Sequence, residues 1–137
     1  MTYLHDELTY TDEQHARYER EGYLFFDSFL SDDGLARCGQ ECDRMIANLQ
    51  PRRSPQVMIS AHQQERWIFE LASEPKMLDI CERQVGPNIV LWSSHMLCKA
   101  PHTGEFVPWH QDAPYWNVRG NFAAGVLRFV EGEDSDR

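Results

Sequence analysis

The sequence predicts an α+β chain on three observations. Apolar side chains recur at helical spacing through its first half, capping residues stand where those runs begin and end, and from Asn88 the apolar period changes to two. With 137 residues, the whole of 1–137 reads as a single domain with enough chain for a modest core.

Thr11 with Gln14 three residues on forms a capping box, and Gly22 supplies a left-handed stop, so residues 12–21 are predicted helical. Tyr23-Leu-Phe-Phe26 follows as a short apolar strand at a sheet edge. Ser31 is the expected cap of a second helix carrying Leu35, Cys38, Cys42, Met45, Ile46 and Leu49 at helical spacing, with Pro51 past its end. Residues 50–66 read as a loop, because they hold two prolines and a polar run with little periodicity. Apolar character returns at Trp67-Ile-Phe-Glu-Leu71. Ser73 then caps a helix with Met77, Leu78, Ile80, Cys81 and Val85, which Gly86-Pro87 ends. From residue 88, Ile89, Leu91, Ser93, His95, Leu97 and Lys99 would share one strand face and Val90, Trp92, Ser94, Met96 and Cys98 the other. Pro101-His-Thr-Gly104 is the turn into the next extended segment, and the tail from Glu131 is acidic.

Composition excludes several function classes. Acidic residues number 22 against 13 Lys plus Arg, and no basic cluster exceeds Arg52-Arg53, so nucleic acid and anionic membrane surfaces are not expected partners. No apolar run approaches the roughly 20 residues of a spanning helix. The N-terminus lacks the basic-then-apolar order of a signal peptide, so a cytoplasmic protein is expected. The four cysteines fall in apolar stretches rather than in a metal-ligand or disulfide pattern, and buried thiols are expected.

Trp109-His110-Gln111-Asp112 carries the chemistry. On an extended backbone every second side chain projects to the same side, so His110 and Asp112 could reach one metal ion together. Imidazole and carboxylate are two of the three ligands of the facial triad of non-haem Fe(II) oxygenases, which leaves coordination positions open for reaction. The setting is distinctive, with a Lys99-Ala-Pro turn before the motif and a Tyr115-Trp116 pair after it. Together with Glu21-Gly-Tyr-Leu-Phe-Phe-Asp-Ser-Phe-Leu-Ser31 and Val85-Gly-Pro-Asn-Ile89, in that order, the chain resembles the phytanoyl-CoA dioxygenase family over residues 10–118.

That resemblance implies a double-stranded β-helix, a jelly roll with helices packed on one side, of which this chain would hold the N-terminal helices and a partial sheet. It implies Fe(II) held by His110 and Asp112, 2-oxoglutarate as co-substrate, and hydroxylation of a small organic substrate with release of succinate and CO2. Lys99 matches the family lysine at the mouth of the active site. It has two readings, a contact for the acidic co-substrate or substrate and a solvated strand-end lysine. Tyr115 and Trp116 would wall the substrate cavity or simply pack. His95 on the preceding strand is either a substitute ligand facing the same cavity or a hydrogen-bonded histidine within the sheet.

Residues 119–137 depart from the family pattern, where a Trp-containing strand, an Asn-Gly turn and a Pro-Gly-Ser-His segment would be expected. The third metal ligand and the 2-oxoglutarate-anchoring arginine have no counterpart in that pattern: no histidine follows His110, and Arg128 and Arg137 stand outside the motif. Family identity and activity are therefore separate questions. The sequence is compatible with an oxygenase by descent, with a truncated and catalytically silent interaction module, or with a site completed by a second subunit. In the last two cases unpaired strand edges would join copies of the chain into a homo-oligomer.

Overall fold

A computed structural model describes residues 2–48, 58–97 and 108–110. Its elements run α1 (Asp12–Glu21), α2 (Asp32–Ala47), β1 (Met58–Ile59), a short 3-10 turn (Ala61–Gln63), α3 (Arg66–Ala72), α4 (Pro75–Val85) and β2 (His95–Met96). The α+β class holds, with four helices and one two-stranded sheet among the described residues.

The caps place the first two helices where the sequence predicts them. Thr11 accepts from the Gln14 amide while the Gln14 side chain accepts from the Thr11 amide, so two amides at the start of α1 are satisfied reciprocally. Gly22 ends α1 at φ 79°, a conformation that favours glycine. Ser31 caps α2 by accepting from the Gly34 amide at 3.0 Å, and Asp32 and Asp33 in the first turn complement the helix dipole. On α2, Cys38 and Met45 are buried and Cys42 packs against the core, whereas Leu35 and Ile46 face outward. Leu49 and Pro51 lie outside the described residues.

The core joins the N-terminal segment to α2, the 3-10 turn and α3. Tyr3 and Leu4 are its most buried side chains with Cys38, at 2% and 1% exposed, and Met45, Ala61, Trp67, Ile68 and Leu71 complete it. The backbone of residues 3–5 runs antiparallel to residues 29–31: Leu4 bridges Leu30, His5 N donates to Phe29 O at 3.1 Å, and Ser31 N donates to Tyr3 O at 3.0 Å. That isolated bridge is the extended pairing of this region, and the expectation of a strand over residues 23–26 is corrected. Those residues form no strand, Phe25 is 78% exposed, and Phe26 instead packs its ring against Tyr10 and Phe29. Apolar content alone does not make a strand; a backbone partner does.

Three further expectations change. The stretch read as a loop contains β1 and the 3-10 turn in its later part, and residues 49–57 lie outside the described residues. The apolar return at Trp67 is a helix of its own, α3, with Trp67, Ile68 and Leu71 buried on one side and Arg66 paired to Glu70 at 2.8 Å on the other. Ser73 ends α3 rather than starting α4, its hydroxyl donating to Phe69 O at 2.6 Å. Glu74 stands at the start of α4, but its carboxylate is turned to Thr2 and to the Tyr3 amide, and Pro75 opens the helix where a missing N–H does no harm.

The alternating segment from residue 88 is the largest departure. Among the described residues of this segment, His95 and Met96 alone enter a ladder, antiparallel with Ile59 and Met58, while residues 87–94 make none and Val90 and Trp92 are exposed. Alternation marks a strand's two faces, but the ladder is limited by its partner, and β1 is two residues long. The expectation of buried thiols holds for Cys38, whereas Cys42 and Cys81 are half-buried; Cys98 and the turn at residues 101–104 lie outside the described residues. No helix among the described residues is long and apolar enough to cross a membrane.

Candidate metal centre

Pro108, Trp109 and His110 are exposed, with a bend at Trp109 and no ladder bond among the described residues. His110 Nδ1 lies 2.7 Å from Pro108 O. A carbonyl oxygen only accepts, so Nδ1 carries the proton, and in a neutral imidazole the lone pair then belongs to Nε2. Histidine ligands are oriented in this way, one ring nitrogen held by a backbone carbonyl and the other directed to the ion. The chemistry of His110 therefore suits a metal ligand.

Asp112, Lys99, Tyr115 and Trp116 lie outside the described residues. His95 is exposed on β2 in register with Ile59, a position at a sheet surface rather than within it. Among the described residues, no three His, Cys, Asp or Glu side chains converge as a metal site would require. Among the described residues, one surface hollow of about 480 Å³ lies beside His5, Gln14 and Phe26, and another of about 650 Å³ beside Tyr3, Arg37 and Glu70. Neither reaches His95 or His110.

One polar cluster has no signal in the sequence spacing. Ser94 Oγ lies 2.8 Å from His62 Nδ1 and accepts from the His62 amide at 3.0 Å, while Ala61 N donates to Ser94 O at 3.3 Å. Beside it, Ser60 adopts φ 55°, a conformation uncommon outside glycine, with its hydroxyl 3.5 Å from that of Ser93. These bonds clamp the 3-10 turn to the segment leading into β2, and so fix where His95 emerges. Thirty-two residues separate His62 from Ser94, which is why local patterning does not reveal the pair.

Fold and site together define an α+β chain in which α3 and α4 lie between the two strands of a short antiparallel pair, followed by a histidine with one ring nitrogen held by a backbone carbonyl. The family profile of phytanoyl-CoA dioxygenase (PhyH) matches residues 18–131, and the chain belongs to that family. The matched region includes the Trp109 motif and continues past residue 118. In comparisons with curated proteins and with solved structures, nothing matches.

Proposed function

We propose that the chain serves an Fe(II)- and 2-oxoglutarate-dependent dioxygenase reaction that hydroxylates a small organic substrate, with His110 and Asp112 as iron ligands. The observation that carries this reading is the family match across both residues; the tautomer of His110 supports it. In this reading the sheet belongs to a jelly roll, with helices α1–α4 packed on one side. Neutral imidazole nitrogen and carboxylate oxygen form a donor set that suits Fe(II). An iron ion held by these two residues would supply oxygen activation: one atom of dioxygen would enter the substrate C–H bond and the other would enter succinate as 2-oxoglutarate loses CO2.

The chain's own residues supply placement. Pro108 O holds the His110 ring by its Nδ1 proton, and Asp112 contributes the negative charge that keeps a divalent ion in place. Lys99 pairs with a carboxylate of the co-substrate or substrate, Tyr115 and Trp116 wall the cavity against water, and His95 provides a further imidazole on the neighbouring segment. The test is turnover by purified protein with iron and 2-oxoglutarate. Substrate-dependent succinate formation, abolished in His110→Ala and Asp112→Asn, is the expected result; its absence in the parent protein under anaerobically loaded iron would defeat the reading.

A second reading is favoured by the β1–β2 pair. Ile59 and Leu97 are exposed there, and among the described residues neither strand has a partner on its outer edge. In that reading the chain is a catalytically silent interaction module that associates through open strand edges, or completes its site with a second subunit. Stoichiometric dimerisation without turnover identifies the silent module. Turnover that falls on dilution identifies a site shared between chains.

A further inference from the structure

The five other histidines of the sequence all precede His110, and the structure separates them by what their rings already do. His5 Nδ1 accepts from the Glu7 amide at 3.3 Å, His15 Nδ1 lies 3.2 Å from the Tyr10 hydroxyl, and His62 Nδ1 lies 2.8 Å from Ser94 Oγ. His102 lies outside the described residues. The His95 ring, by contrast, makes no hydrogen bond among the described residues and is exposed. Its backbone is nevertheless fixed. Met58 and Met96, opposite one another across the β1–β2 pair, pack against the core, so the alternate pair Ile59 and His95 faces the other way. The His62–Ser94 clamp secures the residue immediately before it.

Position along the chain brings His95 and His110 to one level. His95 stands six residues before Pro101 and His110 six residues after Gly104, the two ends of the turn that the sequence predicts. A chain reversing there returns His110 beside His95, along the edge of β2 that has no strand partner among the described residues. Pro108 brings no N–H and Trp109 stands at a bend, so an ion rather than a ladder would join the two rings. We infer that His95 is the second imidazole of the metal centre, so that His95, His110 and Asp112 give one chain the two histidines and one carboxylate of a facial triad. The inference rests on the proposed function, in which His110 and Asp112 hold the iron.

Ligand counting on the full-length protein tests it without recourse to turnover. Cu(II) is the probe, because the nitrogen splitting of its electron paramagnetic resonance signal counts bound imidazoles. At one equivalent the parent protein is expected to show two nitrogens. His95→Ala should show one and bind about tenfold more weakly or worse, with an unchanged melting temperature because the ring is exposed. His15→Ala should keep both nitrogens and the parent affinity. His95→Gln serves as the second variant should the alanine chain fold poorly, and its expected count is also one. Two nitrogens in a folded His95 variant, or one in the parent, overturns the inference; if that signal still vanishes in His110→Ala, the proposed function stands without it. Copper binding in the parent that is indifferent to His110→Ala defeats both.

Discussion

A Cβ built on Gly34 would stand 2.0 Å from the carbonyl oxygen of Tyr3. The first turn of α2 and the N-terminal segment are thus in backbone contact, with no room for a side chain between them. Gly34→Ala is predicted to lower stability by about 1–3 kcal/mol, the usual range for overpacking, even though alanine is the better helix former. Gly39 on the same helix has nothing within 4 Å of its ideal Cβ. There the same substitution should raise stability by about 0.5–1 kcal/mol. Urea unfolding of the two variants gives the comparison, and equal shifts would contradict the close approach.

Ser31 serves two elements at once, accepting from the Gly34 amide and donating to Tyr3 O. Ser31→Ala should cost about 1–2 kcal/mol. Thr11→Ala removes a cap of similar geometry from exposed α1, which buries no residue, and should cost less. A reversed order in thermal unfolding would show that α1, rather than the join at Ser31, governs the global transition.

The Tyr3 hydroxyl and Trp67 Nε1 are buried without hydrogen-bond partners among the described residues. Removing a polar atom in that state releases its desolvation penalty, so Tyr3→Phe is predicted to leave stability unchanged or raise it by about 1 kcal/mol. The ring, its burial and the Arg37 contact all persist. A clear loss of stability in calorimetry would mean that the hydroxyl is bonded.

Alkaline pH should weaken the fold through two groups. Burial pushes the Cys38 thiol from its ordinary 9.0 to about 11, and burial likewise raises the Tyr3 phenol above its ordinary 10.0. Both groups hold their protons more tightly when folded. Their contribution is therefore complete below the unfolded values and is lost as pH rises from about 9 through 11 for Cys38, and at higher pH for Tyr3. Cys38→Ala should flatten the decline measured by unfolding at stepped pH, even though its neutral-pH stability is lower. An unchanged slope would place the titrating group elsewhere.

At acid pH the sign reverses. Arg66, then Arg37, hold the Glu70 carboxyl below its ordinary 4.5, and Arg17 and Arg20 do the same for Glu21. Stability from these pairs is present above the unfolded carboxylate value and lost as pH falls through the folded one. The pairs are solvent-exposed, so the effect should be small and should shrink with added salt. Salt-insensitive acid unfolding would argue against them.

Helices α1 and α2 were legible because their caps are local chemistry: Thr11, Gln14, Gly22 and Ser31 each act within a few residues of themselves. Ser73 misled because a serine between two helices can serve either end, and here its hydroxyl turns back to Phe69. The strand expectations failed for a different reason. Residues 23–26 and 88–94 have the right side chains, but strand formation is decided by what lies alongside, and Leu30 takes Leu4 as its bridge partner. Tyr3 and Leu4 were invisible as core residues since a short terminal segment has no period to detect. At the candidate site, the His110 motif was legible through its neighbours, whereas the Pro108 carbonyl that orients its ring could be found only in three dimensions.

Trp67 is enclosed by the helices, whereas Trp92 and Trp109 face solvent. The molecule therefore carries its own optical gauge with two channels. With Trp92 and Trp116 replaced by phenylalanine, blue-shifted emission from Trp67 registers whether the helical layer is intact, and iodide-quenchable emission from Trp109, the immediate neighbour of His110, registers events at the imidazole. Loading and unfolding can be followed separately in one cuvette, with no label attached.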